Sequence, residues 1–188
     1  MFRQAVPADF PEVRRITREA YVRAGHFAAD HPYMSVLEDG EHRAEHAQVW
    51  VAEAPGKVVA AVMLTFFGEP YSEVARDGEL EFRMLAVDPD HQGSGVGRAE
   101  VREVVEHARR LPGIEAISIA SATFMTRAHS LYRSLGSAAL QSGTGTCRAR
   151  TCCCGCSRWA CRRQRAEPSE SAGAGRAKAR RRSESVQT

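Results

Sequence analysis

Glu79-Leu80-Glu81-Phe82-Arg83-Met84-Leu85-Ala86-Val87-Asp88-Pro89-Asp90-His91-Gln92-Gly93-Ser94-Gly95-Val96-Gly97-Arg98 is the stretch whose reading decides the fold. Its first nine residues alternate, with Glu79, Glu81, Arg83, Leu85 and Val87 on one face and Leu80, Phe82, Met84 and Ala86 on the other. That period predicts a strand with a chemically mixed face. From Gly95 to Leu111 the period becomes helical, with Val96, Val101, Val104, Val105 and Ala108 inward and Glu100, Arg102, Glu103 and Arg109 outward. A glycine-rich turn between a strand and a helix aims backbone N–H groups and the positive end of the helix dipole at one spot, which suits a phosphate or pyrophosphate. Arg98, in the first helical turn, adds a charge-assisted donor. The spacing also fits an ordinary tight turn that needs glycine.

Working outward, Phe2 to Val6 reads as a short strand ended by Pro7. Asp9 then caps a helix carrying Phe10, Val13, Ile16, Ala20 and Ala24 at helical spacing. Gly25 to Gly40 is rich in turn formers and histidine, and a short helical stretch follows to about Ala47. Val49 to Glu53 and Val58 to Phe67 form a hairpin about Ala54-Pro55-Gly56-Lys57. Beyond the glycine loop and its helix come a strand, Ile114 to Ala120, and a helix, Met125 to Leu135, closed by Gly136 in a left-handed cap. The order predicts an α/β fold with a mixed sheet, antiparallel first and then joined by a strand-helix-strand crossover.

The spacing excludes two common phosphate loops. A dinucleotide fingerprint starting at Gly93 needs glycine where Arg98 stands, and a P-loop needs Lys and then Ser or Thr after its last glycine. The pattern that matches is Gln92, two residues, Gly95, one residue, Gly97, preceded by Glu81 to Pro89. Together with Ala128-His129-Ser130-Leu131-Tyr132-Arg133-Ser134-Leu135-Gly136, it resembles the GNAT superfamily of N-acetyltransferases over residues 1 to about 136. The resemblance implies a GNAT-like mixed sheet with flanking helices and acetyl-CoA as acyl donor. It implies that Leu85, Ala86 and Val87 offer backbone groups to the pantetheine arm where the strand splays. Gln92, Gly93, Ser94, Gly95, Val96, Gly97 and Arg98 then hold the pyrophosphate.

Acyl transfer from a thioester to an amine needs a deprotonated amine, a stabilised oxyanion and a proton for the departing thiolate. Tyr132 lies where the family's general acid lies, although a core tyrosine beside Leu131 and Leu135 fits equally. Glu81 matches a position where many members carry a glutamate that removes the amine proton, often through water. Glu79 is the second candidate, and a solvated strand carboxylate the plain alternative. The partner expected is a small-molecule or peptide amine. His42 and His46 stand one helical turn apart, but no carboxylate or cysteine partner is evident nearby in the sequence, so no metal is assigned.

Composition divides the chain. Residues 1 to 136 carry 15 Lys and Arg against 20 Asp and Glu, while residues 137 to 188 carry 11 against 3. The basic character belongs to the tail and gives no reason for the folded part to bind nucleic acid. All six cysteines lie between Cys147 and Cys161, so the preceding residues need no disulfide, which suits the cytoplasm. No apolar run approaches the roughly 18 to 20 residues of a membrane span, and Met1-Phe2-Arg3-Gln4 has no signal-peptide core.

Where the family's late helix usually ends Leu-Gly-Phe, the chain reads Gly136-Ser137-Ala138-Ala139-Leu140 and then Thr151-Cys152-Cys153-Cys154-Gly155-Cys156. Such residues are what GC-rich coding DNA yields out of frame. A consistent codon choice over Ser137 to Cys161, shifted by one base, reads GFRRLAERDWDLPGADVLLRVLAVGV, which restores Gly-Phe and supplies a terminal strand. The expectation is therefore a domain over residues 1–136 that lacks its terminal strands, followed by a disordered Cys/Arg-rich tail over 137–188. A functional tail is the competing view, from the Cys153 to Cys156 spacing and Arg180-Arg181-Arg182, but no second knuckle follows. Two functions stand: an acetyltransferase, or a non-catalytic acyl-CoA-binding or interaction module.

Overall fold

A computed structural model describes residues 1–139 and 154–160, the last two strands by their backbone alone. Its strands are β1 (Phe2–Gln4), β2 (Gln48–Ala54), β3 (Lys57–Phe66), β4 (Glu79–Val87), β5 (Ala116–Ala122), β6 (Ala138–Ala139) and β7 (Cys154–Ala160). Its helices are α1 (Phe10–Arg23), α2 (Tyr33–Glu38), α3 (Gly40–His46), α4 (Val96–Arg110) and α5 (Thr126–Ser134). The strands form one sheet in the order β1-β2-β3-β4-β5-β7-β6, antiparallel throughout except where β4 meets β5. The α4 crossover accounts for that parallel pair, because a chain leaving one end of β4 must return along the sheet before β5 begins.

Two apolar layers sandwich the sheet. Leu80 and Phe82 pack with Val62, Leu64, the α4 residues Val101, Val104 and Ala108, and Tyr132 of α5. On the opposite face Ala61 and Ala86 pack with Val13, Ile16 and Ala20 of α1. Met63 and Met84 meet Met34 and Leu37 of α2 there. That helix lies inside the segment read as turns; Met34 and Leu37 are only three residues apart, too short a run for its period to stand out.

Three expectations need correction. Asp9 does not cap α1: its carboxylate accepts from the Val6 amide at 2.8 Å and is paired with Arg3, closing the 3-10 turn that precedes the helix. Glu100 does not face outward, because it shares the inward stripe of α4 with Val101 and Val104 and is 1% exposed. The terminal strands are not missing. β7 runs antiparallel to β5 from Ala116↔Ala160 to Ala122↔Cys154, and β6 pairs with β7. The backbone of any chain able to extend can pair with an open strand edge, so cover for β5 does not require an apolar sequence. The remaining residues of the expected disordered tail, 140–153 and 161–188, lie outside those described.

Candidate functional site

The site begins with an interruption in the sheet. β4 and β5 share only three rungs, Glu79↔Ala116, Leu80↔Ile117 and Glu81↔Ser118, and beyond these they do not pair. The β3–β4 register slips between Ala61↔Ala86 and Met63↔Arg83, leaving one extra residue on β4. Met84 sits in that bulge with φ 53, the single non-glycine residue at positive φ among those described. The bulge inverts the alternation. Leu80, Phe82 and Leu85 face α4, whereas Met84 and Ala86 face α1 and α2. Glu81 therefore does not share a face with Leu85, contrary to simple alternation, because one inserted residue exchanges the faces.

After β4, the Asp88 side chain is fully buried and bound by Arg15 at 2.6 Å, Lys57 at 3.1 Å and the Asp90 amide at 3.0 Å. Burial alone would raise its pKa, but those contacts outweigh it and hold the carboxyl well below the usual range. Asp88 thus pins the start of the glycine loop. Gln92 Nε2 donates to the Val87 carbonyl at 3.1 Å, and Gly93 and Gly95 adopt φ of 79 and 93. No side chain caps α4, and among the described residues nothing accepts from the amides of Gly93, Ser94 or Gly95. Those free donors at a helix N-terminus fit the diphosphate of a coenzyme. Gly97 brings the helix close: a Cβ there would lie 3.2 Å from Val87 Cγ2. Gln92, Gly93, Ser94, Gly95 and Arg98 are exposed, and Val96 and Gly97 partly so.

Tyr132 projects from α5 into the core, 4% exposed, its ring edge-on to Phe82 with centroids 5.6 Å apart. Burial pushes its phenol pKa well up, helped by the fields of Tyr21 and Glu100, so it keeps its proton at neutral pH. Glu100 is fully buried with neither carboxylate oxygen hydrogen-bonded, and burial raises its pKa well above normal.

Glu81 is fully buried. Its Oε2 accepts from Ser72 Oγ at 3.3 Å and from the amides of Glu73, Val74 and Ala75 at 2.9, 3.0 and 3.1 Å. Its Oε1 has no hydrogen-bond partner, with Arg83 Nε at 3.8 Å. Arg83 holds the same loop, donating to the Tyr71 carbonyl and pairing with Glu73, both at 2.6 Å. Glu79 Oε2 instead accepts from the Arg76 amide at 3.1 Å.

Sequence reasoning overlooked Arg43, which the structure buries against Met84. Its neighbours Glu41, His42, Glu45 and His46 make the helix read as a solvated face, so nothing in the spacing marks it. The same helix corrects the histidine reading. Glu45 joins His42 and His46, with ligand atoms mutually within 4.8 Å, on an exposed surface.

Among the described residues no helix is long and apolar enough to cross a membrane. Residues 10–137 match the family model described as Acetyltransferase (GNAT) family. N-acetyltransferase 8B of Homo sapiens is 34% identical over 87 residues, which is 46% of this chain and 37% of that protein. The chain spans little more than a third of the length of the curated relatives it matches. A GNAT acetyltransferase from Staphylococcus aureus superposes with TM-score 0.67 at 12% identity, covering 86% of this chain and 99% of that one. The yncA protein of Salmonella typhimurium, solved with acetyl-CoA, gives 0.58 at 20% identity, covering 90% and 98%.

Proposed function

Because this chain belongs to the acetyltransferase (GNAT) family, we propose that it moves an acetyl group from acetyl-CoA to a primary amine by direct attack on the thioester. The observation that carries this reading is the coincidence of two features. The β4–β5 ladder stops at Glu81↔Ser118, and the open amides of Gly93, Ser94 and Gly95 lie just past the end of β4. A pantetheine arm laid along Leu85, Ala86 and Val87 fills the gap between the strands, with its diphosphate on the loop through residues 92–98.

Tyr132 is our assignment for the acid that protonates the departing sulfur. It is supported by a phenol that burial keeps protonated on the α4–α5 side of the gap. Glu81 is our assignment for the base, acting through Oε1, the oxygen left open while Oε2 holds the loop amides. A backbone N–H of Leu85 to Val87 serves the oxyanion. Holding the two reactants together supplies much of the acceleration, so single substitutions leave residual activity.

Calorimetry with acetyl-CoA and thiol release over an amine panel test the reading together. Binding with amine-dependent release is expected. Tyr132→Phe should lower kcat by about 10²-fold while the acetyl-CoA Kd stays unchanged. Absence of acetyl-CoA binding at millimolar concentration refutes the reading. Binding without release from any amine assigns the chain instead to the acyl-CoA-binding module, which the departure from the family pattern after Gly136 favours.

A further inference from the structure

We infer that the acetyl acceptor carries a carboxylate beside its amine, and that Arg43 is the group that holds it. This deepens the proposed acetyl transfer and rests on it. Arg43 is 1% exposed, yet among the described residues it forms no ion pair. Its Nε donates to the Asp39 carbonyl at 3.2 Å, its Nη1 lies 3.7 Å from Met84 Sδ, and its Nη2 has no partner. A guanidinium has five donors in a planar fork and matches a carboxylate bidentately. Burying one against a thioether and a single carbonyl, with no carboxylate in ion-pairing reach among the described residues and only the more distant field of Asp39, leaves a cation that a ligand carboxylate would complete.

Its position names the ligand. Met84 is the bulge residue, directly before the strand segment assigned to the pantetheine arm, so the guanidinium stands where the acyl end is expected. It lies on the α1–α3 side of the sheet, opposite the glycine-loop helix. An α-amino acid has its amine and carboxylate on one carbon, so a carboxylate on Arg43 leaves the amine a short step from the bulge. A lysine side chain or a polyamine offers no such anion. The cavity of about 550 Å³ beyond Gly40 is lined by Glu38, Asp39 and Glu41 together with Arg14, which is already paired with Glu38, so that cavity does not suit an anion.

The acceptor's body meets aromatic rings. Phe27 is stacked with Tyr21 at 6.0 Å and lies 5.5 Å from Tyr33 and 6.3 Å from Phe124, spanning the α1–α2 and β5–α5 loops. The class that fits is an α-amino acid with an apolar side chain. In the reaction an N–C amide bond forms and the thioester C–S bond breaks. One ammonium proton passes to Glu81 before attack, a second leaves the nitrogen as the tetrahedral adduct collapses and replaces, through solvent, the proton that Tyr132 gives to the sulfur, and the acceptor's carboxylate is unchanged.

The test is calorimetry of the full chain saturated with coenzyme A, titrated with L-leucine and L-phenylalanine and with their decarboxylated counterparts, isoamylamine and phenethylamine. Each amino acid should bind at least tenfold more tightly than its amine. Arg43→Met should erase that ratio without changing the coenzyme A Kd, and Arg43→Lys should keep part of it. Equal binding within each pair, binding of neither member, or an Arg43→Met protein that keeps the ratio overturns the inference. The wild-type comparison decides even where the variants do not fold. Failure of coenzyme A itself to bind refutes the acetyl-transfer reading on which the inference stands.

Discussion

Glu100→Leu should make the protein more stable, by an amount that grows with pH. Glu100 is 1% exposed, and both its oxygens are buried without a partner. Burying an unpaired polar group costs about 1–3 kcal/mol, and burying a leucine of similar volume gains about 1.5–3 kcal/mol. Below the pH at which an unfolded glutamate ionises, the substitution should therefore stabilise by about 3 kcal/mol. Above it a second effect enters, because burial raises the folded-state pKa of Glu100. The unfolded chain then releases a proton that the folded one keeps, so wild-type stability falls by about 1.4 kcal/mol per pH unit until pH reaches the folded pKa. Neither Glu100→Leu nor Glu100→Gln carries this slope, but only the leucine also removes the unpaired polar group. Urea unfolding of the three proteins at pH 5, 6 and 7 separates the effects. The wild-type deficit against Glu100→Gln should widen by about 1.4 kcal/mol per unit. A gap that stays constant over this range refutes a buried neutral carboxyl.

Gly95→Ala has open space for its Cβ but must hold φ 93, which costs an L-residue about 1–2 kcal/mol. It should lower stability by that amount and weaken acetyl-CoA binding about tenfold in calorimetry. Asp88→Asn removes the anion between Arg15 and Lys57, and thermal unfolding should show a loss of about 2–3 kcal/mol at pH 7. Because the folded-state pKa of Asp88 is depressed, its stabilisation is present above the unfolded pKa and is lost as pH falls; the variant should approach wild type below about pH 4. Sequencing the gene through the Gly136 codon should reveal an open alternate frame. Restoring it places VLLRVLAV at positions 152–159, over most of β7, and should raise the unfolding temperature in a melting experiment; a closed alternate frame excludes the shift.

Much of the scaffold is legible because periodicity reports burial. β4 spans Glu79–Val87 as the alternation predicts, and the two-residue turn at Pro55-Gly56 joins β2 to β3. The glycine loop is legible because left-handed φ at Gly93 and Gly95 demands a residue without a Cβ. The bulge is not. Met84 is an ordinary apolar residue whose φ of 53 comes from the slip against β3, a long-range event that leaves no local mark. Glu100 and Arg43 fail for a related reason: charge usually means solvent, and a sequence pattern cannot show a charged residue turned inward. Arg43 lies beside the β4 bulge, next to the proposed chemistry, where local rules are expected to be broken.

Three rungs between β4 and β5 have a mechanical consequence. The sheet is two plates riveted at Glu81↔Ser118, and a thread of ligand through the open end would act as extra stitching. Coenzyme should therefore slow amide exchange along residues 119–122 as well as in the loop it touches. Bound cargo would thus finish a seam that the polypeptide leaves unsewn.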